Sequence, residues 1–186
     1  MSEPLSPGIK NLIDAAERKG ITLDIRPIPG PARAATDLAL ALDVEPGRIV
    51  KAWPFMAIGP GRHLQIVCLV GGRKQVEVSG LAAVAGEGSI REASRAEVSD
   101  LFRCAPADIQ PFGHGRDVRT IMDRDLCSYQ WVWAVTAGRE AVVRLEPGTL
   151  RILASAVVLP VPGESWDLID PTAGVRPYRQ IGLSGQ

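Results

Sequence analysis

The sequence predicts an α+β fold: a single domain with a mixed, mostly antiparallel sheet flanked by helices. Strand-like and helix-like segments follow one another without the regular strand–helix alternation of a doubly wound parallel sheet. The length of 186 residues suits one domain with its own core. Apolar residues make up 46% of the chain and charged residues 23%, which is the balance of a globular protein and not of a disordered one.

The first elements follow from local patterns. An apolar stripe predicts a helix over residues 5–19, and Gly20 ends it. The next segment, "ITLDIRPI", predicts a short strand that Pro27 and Pro29 end or confine to a sheet edge. A second helix is predicted in "AATDLALALDVEP", and the Pro-Gly pair after it turns the chain into the strand "RIVKAWPF".

The middle and end of the chain continue the mixture. "HLQIVCLV" is apolar on both faces and predicts a central strand. A short strand then runs into a helix that begins near Ser79. The remaining predicted elements, in order, are a strand in "SIREAS", a helix in "RAEVSDLFR", strands around Val118–Met122, in "YQWVWAVT" and in "EAVVRL", and a helix in "EPGTLRIL".

A change in composition divides the chain at residue 160. Residues 1–159 form the predicted domain, whereas 160–186 are dense in Pro and Gly and lack periodicity. We expect this second segment to be a tail that wraps the surface or is partly disordered. Trp166 and Tyr178 could hold it against the body or anchor a partner.

Charge and cysteine usage exclude several classes of function. Lys plus Arg equals Asp plus Glu at 21 each, which argues against a protein that wraps a nucleic-acid backbone but permits contact with one RNA end. The three cysteines have no CxxC spacing, and neither a signal peptide nor a membrane-length apolar run is visible, so a cytoplasmic protein without membrane contact is expected. His63 and His114 lie far apart, and we expect neither a metal site nor another cofactor.

One lysine stands out in "RIVKAWPF". Strand periodicity places Lys51 on the same face as Ile49, Trp53 and Phe55. Either the stem of Lys51 packs on this face while its ammonium reaches water, or the ammonium lies in a cleft and contacts a carboxyl, carbonyl or phosphate group. The residues alone leave both readings open.

A second candidate is the loop "QPFGHGR". Pro111 fixes φ and lacks an N–H, and Gly113 permits backbone conformations closed to other residues, so bare amides could approach a ligand beside His114. An ordinary connecting loop explains the same composition. Asp123 follows directly after a strand, where a role in a turn or as a helix cap is enough to explain an aspartate.

The collinear order of four segments carries a resemblance. They are "LDVEPGRIVKAWPF", "LQIVCLVGGRKQVEVSGLAAVAG", "RAEVSDLFRCAPADIQPFGHGRDVRTIMDRDL" and "WVWAVTAGREAVVRLEPGTLRIL". Together they span roughly residues 5–155, and this stretch resembles the YbaK/EbsC family, also called ProX or prolyl-tRNA synthetase-associated editing domains. The resemblance implies a free-standing trans-editing deacylase that hydrolyses the ester of a small mischarged amino acid, of the Ala, Cys or Ser class, on tRNA.

The same resemblance implies a site and partners. Its catalytic residues would be Lys51, Gly113 and His114. The implied substrate-binding residues are Ile49, Trp53, Phe55, Ala107, Asp108, Pro111, Phe112, Asp123 and Gly138. The implied partner is the acceptor (CCA) end of tRNA carrying an amino acid, with an aminoacyl-tRNA synthetase as a further candidate.

Two departures from the family pattern support an alternative. Ala107 stands where the family's loop commonly begins with glycine, and Ala52 stands where a Ser or Thr commonly follows the lysine. If position 107 needs a positive φ, alanine cannot present the loop amides in the same way. The alternative is a non-catalytic module of the same fold that binds an aminoacyl-tRNA end or a synthetase.

Overall fold

The computed structural model describes residues 6–28, 34–59, 62–114, 117–136 and 141–165. Its α-helices are α1 (Pro7–Glu17), α2 (Ala35–Ala41), α3 (Val78–Ala85), α4 (Arg95–Phe102) and α5 (Pro147–Ala154). Its strands are β1 (Asp24–Pro27), β2 (Ile49–Gly59), β3 (Arg62–Gly71), β4 (Lys74–Val76), β5 (Ile90–Glu92), β6 (Val118–Asp123), β7 (Val132–Val135), β8 (Ala141–Leu145), β9 (Val157–Leu159) and β10 (Gly163–Ser165). None of the helices within these ranges is long and apolar enough to cross a membrane.

The main sheet is mixed, as predicted. Its strand order is β1-β8-β7-β2-β3-β6-β9, and β5 also pairs with β2. The β2–β7, β3–β6 and β6–β9 pairs are parallel, while the β1–β8, β7–β8, β2–β3 and β2–β5 pairs are antiparallel. The predicted central strand is β3, whose Ile66–Val70 side chains are fully buried, and the proline-bounded β1 lies at the sheet edge.

Helices cover both faces of the sheet. On one face, α1, α4 and α5 contribute Leu12, Val98 and Leu150 to a core that also holds alternate side chains of the strands. On the other face, α3 packs Leu81 against Phe55 and its neighbours, and α2 packs Leu38 against Ile49, Trp133 and Val142. The predicted α+β architecture with helices flanking the sheet is confirmed.

Strand β2 shows why a proline is tolerated inside a long strand. Its antiparallel register with β3 runs without a break from Val50–Gly71 to Gly59–Arg62, so Pro54 causes no bulge. The opposite edge of β2 is paired only in part, with β7 at Ile49 and Val50 and with β5 from Phe55 to Ala57. Since Pro54 lies beside the unpaired part of this edge, its missing N–H breaks no ladder hydrogen bond there.

The start of the Pro- and Gly-rich segment joins the fold. Val161 is buried and its N–H donates to the Asp123 carboxylate at 3.3 Å. Strand β10 pairs with β4 in a separate two-stranded sheet, and a Cβ at Gly80 would lie 2.7 Å from Pro162. Trp166 and Tyr178 lie outside the described residues, so the expectation for the rest of the tail stays a prediction.

Candidate active site

A cavity of about 620 Å³ opens at the partly paired edge of β2. Residues 49–54 of this strand form its floor, and Val135 at the end of β7 lies beside them. Between Val50, which pairs with β7, and Phe55, which pairs with β5, no described strand occupies this edge. The cavity therefore fills a gap in the sheet, so side chains from both faces of β2 reach it.

The walls of the cavity come from segments distant in sequence. Ala35 and Leu38 of α2 form one wall, and the Asp37 carboxylate holds the N-terminus of α2 by accepting a hydrogen bond from the Ala34 N–H at 2.9 Å. Pro106 and Ile109, after α4, form another. Among the described lining residues five are alanines, whose short side chains leave the space open.

Lys51 brings an ammonium group to this apolar surface. Its Nζ donates to the carbonyl oxygen of Lys74 at 2.8 Å and lies 5.1 Å from the centre of the Trp53 ring. Burial lowers the pKa of Lys51 to about 8, and no ion pair to it is found among the described residues. Because an ammonium has three donors, Lys51 can still donate to a bound ligand.

Glu92 and Arg95 add charged groups to the cavity lining. Both residues are exposed, at the C-terminal end of β5 and the first turn of α4. Their exposure places them at the rim, where solvent screens their charges. Among the charged side chains in the described lining, Lys51 is half-buried and therefore acts with the least solvent screening.

Behind Lys51 lies a small polar pocket formed around Lys74. The Lys74 ammonium is 2.7 Å from the carboxylate of Asp123 and 2.8 Å from that of Asp125. Burial pulls the pKa of Lys74 down, but its hydrogen bonds to both carboxylates outweigh this and raise it. Burial raises the pKa of Asp123, which is fully buried, and Lys74 offsets this only in part. This cluster fixes β4 and, with it, the carbonyl that holds Lys51.

The described residues contain no group of three or more His, Cys, Asp or Glu side chains that could hold a metal ion. Among the described lining residues, the charged side chains of the cavity are Lys51, Glu92 and Arg95, and backbone groups add further donors and acceptors. Such an arrangement can bind a ligand that is largely apolar, and it can place a positive charge beside an oxygen that carries negative charge.

Comparison with known proteins identifies the family. The family model for the aminoacyl-tRNA editing domain matches residues 29–152. This chain belongs to the aminoacyl-tRNA editing domain family. The matched range contains β2, the walls of the cavity and the loop after α4.

Individual relatives agree with this assignment. The proline–tRNA ligase of Stenotrophomonas maltophilia (strain K279a) is 31% identical over 117 residues, which are 62% of this chain and 20% of the ligase. The chain thus spans about a fifth of the length of that relative. A solved structure of a candidate trans-editing enzyme for prolyl-tRNA synthetase is 29% identical, with a TM-score of 0.74 over 87% of this chain and 100% of the other. A scaffold protein from work on computational epitope grafting has a TM-score of 0.76 and 26% identity over the same shares.

The editing domain brings only some of the predicted site residues to the cavity. Lys51, Ile49 and Trp53 line it. Phe55 is buried in the core on the α3 side and pairs with Glu92 of β5 instead of facing the open edge. Gly138 lies outside the described residues, although Val135, three residues earlier, lines the cavity.

The predicted "PFGH" loop packs mainly on helices. Phe112 is buried in the core with α1, and the loop is tied to α1 by the Gln110 side chain, which donates to the Gly8 carbonyl at 2.8 Å. Gly113 has φ +88°, a left-handed conformation that explains glycine here. The ring of His114 meets Phe102 edge-on at 5.1 Å. Neither Gly113 nor His114 is among the residues lining the cavity.

The surroundings of the His114 ring also affect its pKa and its hydrogen bonding. Burial lowers its pKa, and a backbone hydrogen bond with Gln110 offsets this only in part, while Nε2 finds no hydrogen-bond partner within the described residues. Burial next to Phe102 thus favours the neutral form of the ring. In this structure it has the environment of a packed residue and not of a base aimed at the cavity.

The departure at Ala107 causes no backbone strain. Pro106–Asp108 forms a short 3₁₀ turn, a conformation in which φ lies at about −50 to −70°. Position 107 therefore has a negative φ that alanine adopts freely. Pro106 contributes to the cavity, but among the described side chains Asp108, Pro111 and Asp123 are not lining residues. The side chain of Ala107 lies outside the described part of the structure.

Several lining residues were not predicted from sequence. Ala35 and Leu38 of α2, Ala93 after β5, and Ile109 were predicted only as parts of a helix, a strand and a loop, in that order. The one available signal was the excess of alanine in "AATDLALAL", which favours a helix that can approach another surface closely. Nothing local in the sequence says that this surface is the open edge of β2.

Proposed function

We propose that this editing domain is a trans-editing aminoacyl-tRNA deacylase. It would hydrolyse the ester between tRNA and a small mischarged amino acid of the Ala, Cys or Ser class. The observation that carries the proposal is Lys51, an ammonium with lowered pKa and free donors in an apolar cavity. Membership of the editing family and the likeness to a candidate trans-editing enzyme support the same reaction.

The cavity has a suitable size and chemistry for the end of a charged tRNA. Pockets of about 300–1,000 Å³ bury most of the surface of a small-molecule ligand, and the volume here of about 620 Å³ lies within that range. Single-stranded RNA ends are bound by stacking and edge contacts more than by overall charge, which suits a chain of zero net charge. Trp53, which is half-buried at the cavity, offers a ring for such contact.

The reaction asks little of the protein. Water attacks the ester carbonyl carbon, a tetrahedral oxyanion forms, and the bond to the ribose oxygen breaks to release a free amino acid and a free hydroxyl on the terminal adenosine. An aminoacyl ester is already activated, so holding it in place and stabilising the oxyanion accounts for much of the rate. Lys51 would supply the positive charge for the ester oxygens or the terminal phosphate.

The decisive experiment is deacylation of a panel of mischarged tRNAs by wild type and Lys51→Ala. The panel contains Ala, Cys and Ser on proline tRNA, and Ser and Gly on alanine tRNA. We expect selective hydrolysis by the wild type and a loss of at least about 100-fold in Lys51→Ala, the usual size of an electrostatic contribution at such a site. Lys10→Ala, which removes an exposed lysine on α1, is the matched control and should retain the wild-type rate.

A second candidate is a non-catalytic module that binds an aminoacyl-tRNA end or a synthetase. The observation that favours it is the position of His114, which is packed against Phe102 and absent from the cavity lining. This candidate predicts that folded wild-type protein binds an aminoacyl-adenosine analogue but hydrolyses no ester of the panel. Full hydrolysis by Lys51→Ala would instead contradict the role given to Lys51.

A further inference from the structure

The backbone N–H and C=O groups of β2 point alternately to the two edges of the strand. On a regular strand the N–H and C=O of one residue face one neighbouring strand, and those of the next residue face the other. The Pro54 carbonyl accepts from the Ala93 N–H at 3.1 Å, and the Ile58 N–H donates to the Ser89 carbonyl at 2.9 Å. The even-numbered residues of β2 therefore face the edge that β5 and β7 share.

This alternation extends back to the cavity. The register between β2 and β3 is unbroken from Val50 to Gly59, so no bulge reverses the direction between Pro54 and Val50. Ala52 consequently directs its N–H and C=O to the same edge as Pro54, away from β3. That edge is the floor of the cavity.

No described strand takes up these two groups. Pairing with β7 stops at Val50–Ala134, and pairing with β5 begins at Phe55–Glu92. Pro54, the next residue that faces this edge, has no N–H. Within the described residues, Ala52 is thus the position of the gap that offers both a backbone donor and a backbone acceptor to the cavity.

We propose that Ala52 binds the α-amino-acid part of the ligand through its backbone. Its C=O accepts a hydrogen bond from the α-ammonium group, and its N–H donates to the carbonyl oxygen of the ester. An amino acid carries these two groups on adjacent atoms of its chain, as a strand residue does, so it can complete the open rung as an added strand would. This assignment rests on the proposed function and specifies how that site recognises its substrate.

The assignment explains why a side-chain hydroxyl at position 52 is unnecessary for this contact. The Ala52 side chain packs against the core on the α1 side, while the binding groups belong to the backbone. Lys51 and Trp53 project from the opposite face of β2 and remain available for the other parts of the ligand. The consequence is that the site requires a hydrogen-bond donor on the α-nitrogen and disfavours esters that lack an α-nitrogen.

The test compares two non-hydrolysable ligands, adenosine carrying alanine through a 3′-amide and the same compound with a propionyl group. We expect the wild type to bind the alanyl compound at least about tenfold more tightly in calorimetry, because the propionyl compound leaves the Ala52 carbonyl unpaired. Ala52→Pro removes the N–H but keeps the C=O. It should weaken both compounds by a similar factor of about ten and preserve their ratio.

Two further measurements keep the test decisive. If Ala52→Pro does not fold, the amide of Ala52 in wild-type protein is followed by hydrogen exchange in NMR, and its exchange should slow when the alanyl compound binds. Glu92→Gln tests the rim carboxylate, and this variant should keep the alanyl preference. Loss of the preference in Glu92→Gln would assign the α-ammonium to Glu92 and overturn the proposal.

The outcomes separate this inference from the proposed function. If wild-type protein hydrolyses mischarged tRNA but binds both compounds equally and leaves the exchange of Ala52 unchanged, the inference is wrong and the deacylase proposal stands. If wild-type protein neither binds the compounds nor hydrolyses any ester, both are wrong.

Discussion

Lys51 and Lys74 lie in hydrogen-bond contact, yet their surroundings differ in charge. The Lys74 ammonium lies between two carboxylates and its pKa is raised. Lys51 has a backbone carbonyl and an aromatic ring as neighbours, and its pKa falls to about 8. Removing one partner of a buried ion pair leaves the other charge uncompensated, whereas a buried charge without a counter-charge is costly to fold and is available for a ligand.

The largest expected effect comes from making the same change at both lysines. Lys74→Met leaves the fully buried Asp123 without its counter-charge, and we expect the free energy of unfolding to fall by about 3 kcal/mol or more. Lys51→Met removes an ammonium that has no carboxylate partner among the described residues, so stability should be unchanged or higher. Urea unfolding followed by circular dichroism measures both.

The deacylation activity of the same two variants, Lys51→Met and Lys74→Met, is expected to differ as well. Lys51→Met should lose deacylation activity while it stays folded. Lys74→Met should lose activity mainly because a smaller fraction of the protein is folded. If Lys51→Met were as destabilised as Lys74→Met, the conclusion that only Lys74 is needed for stability would be wrong.

The next effect is a pH dependence of stability that belongs to Lys51. Its pKa is about 8 in the folded protein and about 10.4 in an unfolded chain. Between these values the unfolded state binds more protons, so the contribution of Lys51 to the free energy of unfolding increases as pH rises from about 8 to about 10.4. Below about 8 the full cost of burying the charge is present.

Unfolding of wild type and Lys51→Met at pH 7 and pH 10 isolates this contribution. The stability advantage of Lys51→Met at pH 7 should shrink by about 1–2 kcal/mol at pH 10, a value reduced from the full shift because water reaches part of the side chain. An advantage that does not change with pH would show that the Lys51 ammonium is hydrated.

The smallest effect separates the two partners of Lys74. The Asp125 side chain is 69% exposed, whereas that of Asp123 is fully buried. Asp125→Asn should therefore cost less than about 1 kcal/mol, as exposed ion pairs do. A loss as large as that of Lys74→Met would mean that the ion pair to Asp125, and not the one to Asp123, fixes the polar pocket.

Much of the fold follows from local sequence. Strand β3 was predicted to be central because it is apolar on both faces, and β1 was predicted to be ended by its prolines or confined to a sheet edge, where it lies. Strand periodicity also singled out Lys51, since an ammonium on an apolar face is visible in "RIVKAWPF" alone. The strand character of β1 and β3 and the face on which Lys51 lies depend on residues that are close in the chain, and their spacing can be read from the sequence.

The site required the tertiary structure. The sequence determined that Lys51 shares a face with Trp53, but the cavity depends on where β5 and β7 stop pairing with β2 and on how α2 covers the gap between them. The two strands are about 40 residues apart in the chain. Pairing between distant strands is fixed by the packing of the whole sheet, and no local pattern of side chains records which backbone groups are left open.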